Sequence, residues 1–107
     1  AFTAQPEKPK RTVVFLAVTA EEQGLFGSEY YAKNPVFPLA NTVANINMDG
    51  MNTLGKMRDL TVIGFGQSEL EDIAGEIARR EGRYLLPDPN PGAGYFFRSD
   101  HFNFAKV

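Results

Sequence analysis

The chain has 107 residues, 43% of them hydrophobic and including nine Phe and four Tyr, which is enough for the core of one globular domain and no more. Its net charge of −2 without a basic block argues against nucleic acid as a partner, and the absence of Cys excludes disulfides, a thiolate nucleophile and a Cys-based zinc site. The longest apolar run is roughly half of the ~20 residues that span a bilayer, so no membrane insertion is expected.

The first predicted element is a buried strand that runs into two acidic residues. Residues 12–19, TVVFLAVT, are apolar without alternation, which is typical of a strand buried on both faces of a mostly parallel sheet. Glu21 and Glu22 follow, and two acids in succession point in different directions. One could hold a metal ion while the other faces a substrate water, as a hydrolytic metal site requires of its ligand and general base. The alternative is a solvated helix start, because acids favour the first turn of a helix.

A short helix and a second apolar strand follow. Residues 28–33 have helical composition up to an Asn-Pro pair, and residues 42–48 form a second buried strand that ends at Asp49. Asp49 alone is equally consistent with an Asx-type turn. Because the carboxyl ends of parallel strands meet at one edge of a sheet, we expect Asp49 to lie near Glu22 as a second oxygen ligand. Three carboxylates in one crevice repel one another and require a proton, a cation or a metal ion.

The second half of the chain predicts a strand, a helix and an exposed loop. Residues 59–65 read as a third strand, and Ser68 with Glu71 forms a capping box for a helix that stops at Gly82. The loop over residues 87–94, PDPNPGAG, is rich in Pro and Gly, as expected of a loop that borders a site. The apolar face of the helix consists of Leu70, Ile73, Ala74, Ile77 and Ala78. This succession predicts an α/β fold with a mostly parallel or mixed sheet and flanking helices.

The consecutive residues Ser99, Asp100 and His101 do not form a serine hydrolase triad. A triad requires side chains that converge in space, whereas three neighbours in sequence cannot adopt the relay geometry. Ser99 with Asp100 is a good helix N-cap pair, and a lone His is more often structural than ligating. We therefore interpret these residues from their sequence chemistry as a cap followed by a structural histidine.

Three segments stand in a specific order: TVVFLAVTAEEQGLFGSEYYA, then NINMDG, then GYFFRSDHFNFAK. Together they resemble the M28 family of zinc-dependent peptidases, which includes bacterial aminopeptidases, over nearly the whole chain. The acidic pair followed by Gly-Leu-Phe-Gly-Ser is the most specific part, although Gln23 here lies between the acids and the first glycine. The resemblance implies a zinc-peptidase domain with a co-catalytic two-zinc site on the carboxyl edge of a mixed sheet, hydrolysing an N-terminal peptide bond.

The resemblance also implies a role for each matching residue. Glu21 matches the general base that activates the water between the metal ions and passes its proton to the leaving amine. Glu22 matches a ligand of one zinc ion and Asp49 a ligand of the other, with Zn²⁺ as cofactor and two ions per complete site. His101 is not a ligand, because the Ser-Asp-His segment lies on the substrate side of the pocket. The residues implied to contact the substrate are Ser99, Tyr95 and Phe96.

The complete site of the family uses more ligands than this chain matches. A histidine and a bridging aspartate upstream, and a histidine downstream, have no matching position, so Glu22 and Asp49 are the only matched ligands. We interpret residues 1–107 as a fragment of a single peptidase catalytic domain, inactive in isolation because two carboxylates bind zinc only weakly. Its exposed sheet edges predict a possible homodimer by strand exchange.

Two alternatives to an aminopeptidase stay open. One is a non-catalytic, receptor-like relative that keeps the scaffold for protein binding; the presence of Glu21, Glu22 and Asp49 argues against it. The other is carboxypeptidase or cyclase chemistry on the same scaffold. A peptide is the expected substrate, and bacterial relatives are often exported, which implies an extracytoplasmic location, periplasmic or secreted.

Overall fold

The chain combines three α-helices with a two-stranded sheet over the residues that the structure describes. The computed structural model describes residues 2–107; Ala1, the first residue of the predicted fragment, lies outside them. The elements in chain order are α1 (Phe26–Lys33), β1 (Asp59–Val62), α2 (Leu70–Arg80), β2 (Tyr84–Pro87) and α3 (His101–Ala105). Short 3-10 helices lie at Phe2–Ala4, Leu39–Asn41, Pro91–Ala93 and Tyr95–Phe97.

The strands β1 and β2 are parallel, and α2 connects them. Asp59 lies opposite Tyr84 and Val62 opposite Pro87 in the parallel register, and α2 packs against β2. A parallel pair joined by a helix is the βαβ unit from which α/β folds are built. The predicted α/β class is therefore confirmed, and the predicted strand over residues 59–65 is present as the shorter β1.

Hydrogen bonds fix the N-terminus of α2 close to the way the sequence predicts. Ser68 Oγ accepts from the Leu70 N–H at 3.3 Å. The Glu71 carboxylate accepts from the Gly66 N–H at 2.8 Å, so it reaches back past the serine to the turn before the helix. Both members of the predicted capping box thus satisfy N–H groups, but not each other's.

The C-terminus of α2 ends as a glycine stop. Gly82 has a φ of +69°, and its N–H donates to the Arg79 carbonyl at 3.0 Å. The Arg83 N–H donates to the Ala78 carbonyl at 2.8 Å. This pair of bonds is the Schellman motif, which needs a left-handed residue after the helix, so the predicted stop at Gly82 is confirmed.

The helix α1 begins where the chain folds back on the preceding extended segment, and it contains the predicted helix over residues 28–33. The Gly27 N–H donates to the Thr19 carbonyl at 3.0 Å. A Cβ on Gly27 would lie 2.4 Å from Thr19 O, so the two backbones approach this closely only because the residue is glycine.

The buried core that joins α1 to α3 is small and partly polar. The Tyr31 ring packs against the Phe104 ring with centroids 5.9 Å apart. Beneath them, Ser28 and Asn103 are buried side chains that hydrogen bond to each other. The buried residues in the described part of the chain are Leu25, Ser28, Ala32, Ala78 and Asn103.

Two predicted strands are wrong. Residues 12–19 and 42–48 belong to no strand within residues 2–107. All of their residues except Val18 are exposed, with Phe15 at 79% and Ile46 at 77%. No described backbone hydrogen bond pairs either segment with a neighbouring strand. An apolar run without alternation indicates burial on two faces, but it does not supply the partner strand whose ladder defines a β-strand. Composition therefore overpredicts the sheet.

The sequence reasoning missed β2, which follows the glycine stop of α2 by one residue. Its signal is the short apolar run Tyr84, Leu85 and Leu86, placed where a βαβ unit needs its second strand. α3 begins after the predicted cap pair, but its N-cap residue Asp100 makes no side-chain capping bond. Among residues 2–107, no helix is both long and apolar enough to cross a membrane.

Candidate functional site

Glu21 and Glu22 lie in the acid loop, residues 20–25, directly before α1. The Glu21 carbonyl accepts from the N–H groups of Gly24 and Leu25, both at 3.0 Å, which closes the loop into a tight turn. The Glu21 side chain is half-buried and that of Glu22 is exposed. The two acids therefore differ in environment, as the sequence predicts for neighbours that point in different directions.

The backbone at both ends of the acid loop is left-handed. Ala20 has a φ of +57° and Leu25 a φ of +63°. Each non-glycine residue in this region costs roughly 1–3 kcal/mol and persists only where its surroundings impose it. Here the Phe26 N–H donates to the Ala20 carbonyl at 3.2 Å, and the Leu25 side chain is buried. Because such strain concentrates at functional sites, the acid loop is a site candidate on geometry alone.

Asp49 is held from the far end of the chain by Ser99. Ser99 Oγ donates to Asp49 Oδ2 at 2.8 Å and accepts from Asn47 Nδ2 at 2.7 Å. This relay fixes the Asp49 carboxylate against the segment that precedes α3. The sequence reasoning missed Asn47, whose signal is its position two residues before Asp49, on the same side of an extended chain.

The carboxylates of the two acidic segments lie close enough to influence one another. The pKa of Glu21 is raised above its ordinary value, first by partial loss of water around the carboxyl and then by the negative charges of Glu22, Asp49 and Asp100. Arg98 opposes this shift. The charges of Glu22, Asp49 and Asp100 thus all act on Glu21, and Asp100 is one that the sequence reasoning treated only as a helix cap. The roles of Glu21, Glu22 and Asp49 as base and metal ligands stay predictions.

Asp100 and His101 each bury a polar atom without a partner among residues 2–107: Asp100 Oδ1 and His101 Nε2. Burial lowers the pKa of His101, against the opposing effect of the negative charges of Asp100 and Asp49. The Phe96 ring contacts the imidazole edge to face, with centroids 4.9 Å apart. His101 is therefore an uncharged, packed side chain at neutral pH, in keeping with its interpretation as structural.

A pocket of about 600 Å³ is lined by Phe96, whose ring contacts His101. Gly64, at the carboxyl end of β1, has a φ of +84°, and a Cβ there would lie 2.8 Å from the Phe96 ring. Tyr95 is exposed and does not line this pocket, whereas Phe97 does, although the sequence reasoning did not select it. The residues lining the pocket are Gly64, Phe65, Gln67, Pro87, Asp88, Pro91, Phe96 and Phe97.

The family comparison bears on the whole chain. The family model described as "Peptidase family M28" matches residues 1–107. The chain belongs to this family. The resemblance to M28 peptidases that was based on the acidic pair, the Asp-Gly segment and the Ser-Asp-His segment is therefore confirmed.

A curated protein is similar to part of the chain. It is the "Vacuolar membrane protease" of Metarhizium robertsii (strain ARSEF 23 / ATCC MYA-3075), 37% identical over 49 residues. The match covers 46% of this chain and 5% of that protein, so the chain spans far less than the relative's length. No solved structure matches the chain significantly.

The acidic side chains of this M28 chain are of a type that binds zinc, but there are too few of them for a complete zinc site. Glu22 and Asp49 supply carboxylate oxygens, which bind Zn²⁺ in proteins, and Asp100 Oδ1 is a further oxygen without a partner in the described part of the chain. Residues 2–107 contain no group of three or more His, Cys, Asp or Glu side chains placed to hold a metal ion. A zinc site built on these carboxylates therefore requires additional ligands.

Proposed function

We propose that the chain carries part of the catalytic site of a zinc metallopeptidase, most specifically a two-zinc aminopeptidase that hydrolyses N-terminal peptide bonds. The observations that support it are the raised pKa of Glu21, to which the charges of Glu22 and Asp49 contribute, and the hydrogen bond by which the Ser99 hydroxyl holds Asp49. Family M28 membership supports the peptidase class. A carboxyl with a raised pKa beside further acidic charges is the electrostatic setting in which a general base and metal ligands are found.

In this proposal Glu21 is the general base. Its raised pKa brings it nearer to neutral pH, where a carboxylate can accept a proton from the attacking water and return it to the leaving amine. Glu22 and Asp49 would hold zinc with further ligands outside these residues. The metal, when bound, supplies the Lewis acidity that makes water nucleophilic and stabilises developing oxyanion charge.

The substrate side of the site is assigned to the pocket lined by Phe96. Its walls are mainly aromatic rings and prolines, which suit an apolar side chain of a peptide. Ser99 orients Asp49 through its hydroxyl, and Tyr95, exposed on the neighbouring 3-10 helix, would contact the substrate outside the pocket. An apolar N-terminal residue is thus the substrate that this wall composition favours.

Location and assembly follow as further parts of the proposal. The name of the Metarhizium relative places that protein at the vacuolar membrane. For the protein that contains this chain we infer only a location outside the cytoplasm. A homodimer through the sheet edges stays a prediction, which sedimentation of the full protein at varied concentration would check.

The test is Glu21→Gln in the full protein, with zinc content and hydrolysis of leucine p-nitroanilide as readouts. The isosteric amide removes the base and leaves the ligands, so turnover should fall roughly 10²–10⁴-fold while zinc content is unchanged. Glu7→Gln is the matched control, because Glu7 is exposed in the N-terminal segment. Turnover equal to that of the control would remove Glu21 as the base, and a protein that neither binds zinc nor turns over would support the receptor-like alternative.

A further inference from the structure

Two buried polar side chains, one on α1 and one on α3, lie against the end of the acid loop, and neither lines the pocket. Ser28, on α1, is 0% exposed, and Asn103, on α3, is 4% exposed. They lie 75 positions apart in sequence and are joined by a hydrogen bond of 2.8 Å from Asn103 Nδ2 to Ser28 Oγ. Buried amide and hydroxyl groups are costly unless they form hydrogen bonds, so the burial of Asn103 and Ser28 depends on this bond.

The target of both side chains is the Leu25 carbonyl at the end of the acid loop. Ser28 Oγ donates to Leu25 O at 3.0 Å, and Asn103 Nδ2 donates to the same oxygen at 3.1 Å. The Glu29 N–H donates to it as well, at 3.0 Å. These three hydrogen bonds to the Leu25 carbonyl hold this leucine at a φ of +63°.

The other side of the Leu25 residue connects to the proposed base. The Leu25 N–H donates to the Glu21 carbonyl at 3.0 Å. Asn103 therefore reaches Glu21 through a single residue of the acid loop. We call Asn103, Ser28 and Leu25 the rear network.

The rear network and Asp49 are attached to the same short segment of chain. The Phe102 N–H donates to the Ser99 carbonyl at 3.0 Å at the start of α3, and Ser99 Oγ donates to Asp49. One end of this segment thus holds Asp49 and the other end, at Asn103, holds the acid loop. The distance between the two acidic segments is set across five residues of chain, from 99 to 103.

We propose that Asn103 is a positioning residue that fixes the acid loop, and with it Glu21, relative to Asp49. The inference rests on the proposed function for its catalytic consequence, but the geometric part stands on the rear network alone. Packing by itself would need no amide, since an apolar residue of the same size fills the space without the desolvation of a polar group. Both N–H groups of the Asn103 amide are used, one on Leu25 and one on Ser28.

The test compares three variants of the full protein. Asn103→Leu keeps the size of the side chain and removes its N–H donors, and Ser28→Ala removes the hydroxyl between Asn103 and Leu25. Ala78→Gly is the control. Ala78 is buried on α2 at a distance from the rear network in the fold, so its variant lowers stability without touching it. The first readout is hydrogen exchange of the Gly24 and Leu25 amides, which both donate to Glu21. The second is kcat and KM for leucine p-nitroanilide.

We expect Asn103→Leu to speed exchange at Gly24 and Leu25 about tenfold with α2 unchanged, because roughly one to two net hydrogen bonds are lost. We expect kcat to fall roughly 10- to 100-fold with KM changed less than about twofold, since small misplacement of a catalytic group has this effect. Ser28→Ala should act in the same direction and less strongly. Ala78→Gly should speed exchange in α2 and leave kcat unchanged.

The proposal would be overturned if Asn103→Leu speeds exchange equally in the acid loop and in α2, or if its kcat is no lower than that of Ala78→Gly. Asn103 would then contribute only to packing. If the wild-type full protein has no peptidase turnover, the proposed function fails and the exchange measurement decides alone. Faster exchange of Asn103→Leu in the acid loop alone then supports the positioning of Glu21. Exchange that is unchanged, or that rises equally in the acid loop and α2, overturns it. Where Asn103→Leu does not fold, Ser28→Ala is judged by the same criteria.

Discussion

Ser99 donates a hydrogen bond of 2.8 Å to Asp49 across 50 positions of sequence. The hydroxyl also accepts from Asn47, so its proton is committed to the carboxylate. An oriented hydroxyl of this kind is an outer-sphere partner for a metal-binding carboxylate, and removal of such partners weakens metal binding. The first prediction follows from this bond.

Ser99→Ala should lower zinc affinity of the full protein roughly 10- to 100-fold, because Asp49 loses the group that orients it. Ser99→Thr keeps the hydroxyl and should lose less. Competition against a fluorescent zinc chelator gives the affinity. Ser68→Ala, which alters a helix cap on α2, is the control, and an equal affinity in Ser99→Ala and Ser68→Ala would contradict the prediction.

Gly64→Ala should impair binding of substrates with a large apolar side chain. The added Cβ would lie 2.8 Å from the Phe96 ring, so that ring must shift and the pocket wall that both residues form must change. KM should rise roughly tenfold, in the range that one methylene changes an apolar pocket. Gly66→Ala is a close control, since Gly66 has a φ of +93°, similar to the +84° of Gly64, but nothing within 4 Å of its Cβ.

Both glycine variants carry the strain of an L-residue with positive φ, and Gly64→Ala also displaces the Phe96 ring, so its loss in unfolding free energy should be the larger of the two. Only Gly64→Ala should change KM. A matching rise in KM for Gly66→Ala would mean that backbone strain, and not the contact with Phe96, is responsible.

Two further glycine substitutions should have opposite effects on the free energy of unfolding. Gly27→Ala places a Cβ 2.4 Å from the Thr19 carbonyl oxygen, so we expect a loss of about 1–3 kcal/mol or more. Gly75→Ala, within α2, meets its nearest atoms at 3.7 Å and should gain about 0.5–1 kcal/mol from helix propensity. Urea unfolding measures both, and a Gly27→Ala variant as stable as the wild type would show that the backbone at Thr19 can move away from α1 without cost.

His101 should make stability depend on pH near neutrality. Its pKa in the folded chain lies below the ordinary value of about 6.5, chiefly because of burial, with Asp100 and Asp49 opposing the shift. On acidification the unfolded chain therefore binds a proton before the folded one does. This contribution is fully present above about pH 6.5 and is lost as the pH falls through that value towards the folded pKa.

The measurement is the unfolding free energy of the wild type and of His101→Phe in the full protein at stepped pH. The difference between the two curves should change with pH below about 6.5 and be constant above it. A difference that is constant over the whole range would show that the imidazole titrates alike in both states. His101 is the one histidine among the 107 residues, so no other imidazole of this chain contributes to the difference.

The sequence predicts α2 well because every signal for it is local. Ser68, Glu71 and Gly82 act within one turn of the helix ends, so their effect is read without knowledge of the rest of the fold. The order of the segments also predicts that Asp49 lies near the acidic pair, and the charge of Asp49 does act on Glu21, while their catalytic and metal-binding roles stay predictions. The strands over residues 12–19 and 42–48 fail because pairing is not local, and an apolar run says nothing about the identity of its neighbour.

The bonds that assemble the site are the part that sequence reasoning could not reach. The contacts from Ser99 to Asp49 and from Asn103 to Leu25 depend on where α3 docks, and no pattern of spacing encodes the docking of a five-residue helix. Tyr95 and Phe97 show the same limit. Both are aromatic and adjacent to Phe96, yet the backbone turn of the 3-10 helix sends only Phe97 to the pocket.

The separation of these bonds along the chain has a consequence for the order of folding. The pairing of Asp59 with Tyr84 closes a short loop already spanned by α2, whereas the bond from Asn103 to Leu25 joins residues 78 positions apart. Closing long loops is slower because their entropy cost precedes any favourable contact. The βαβ unit should therefore form early and the acidic cluster last, so a chain that is still folding lacks the arrangement on which the proposed peptidase activity depends.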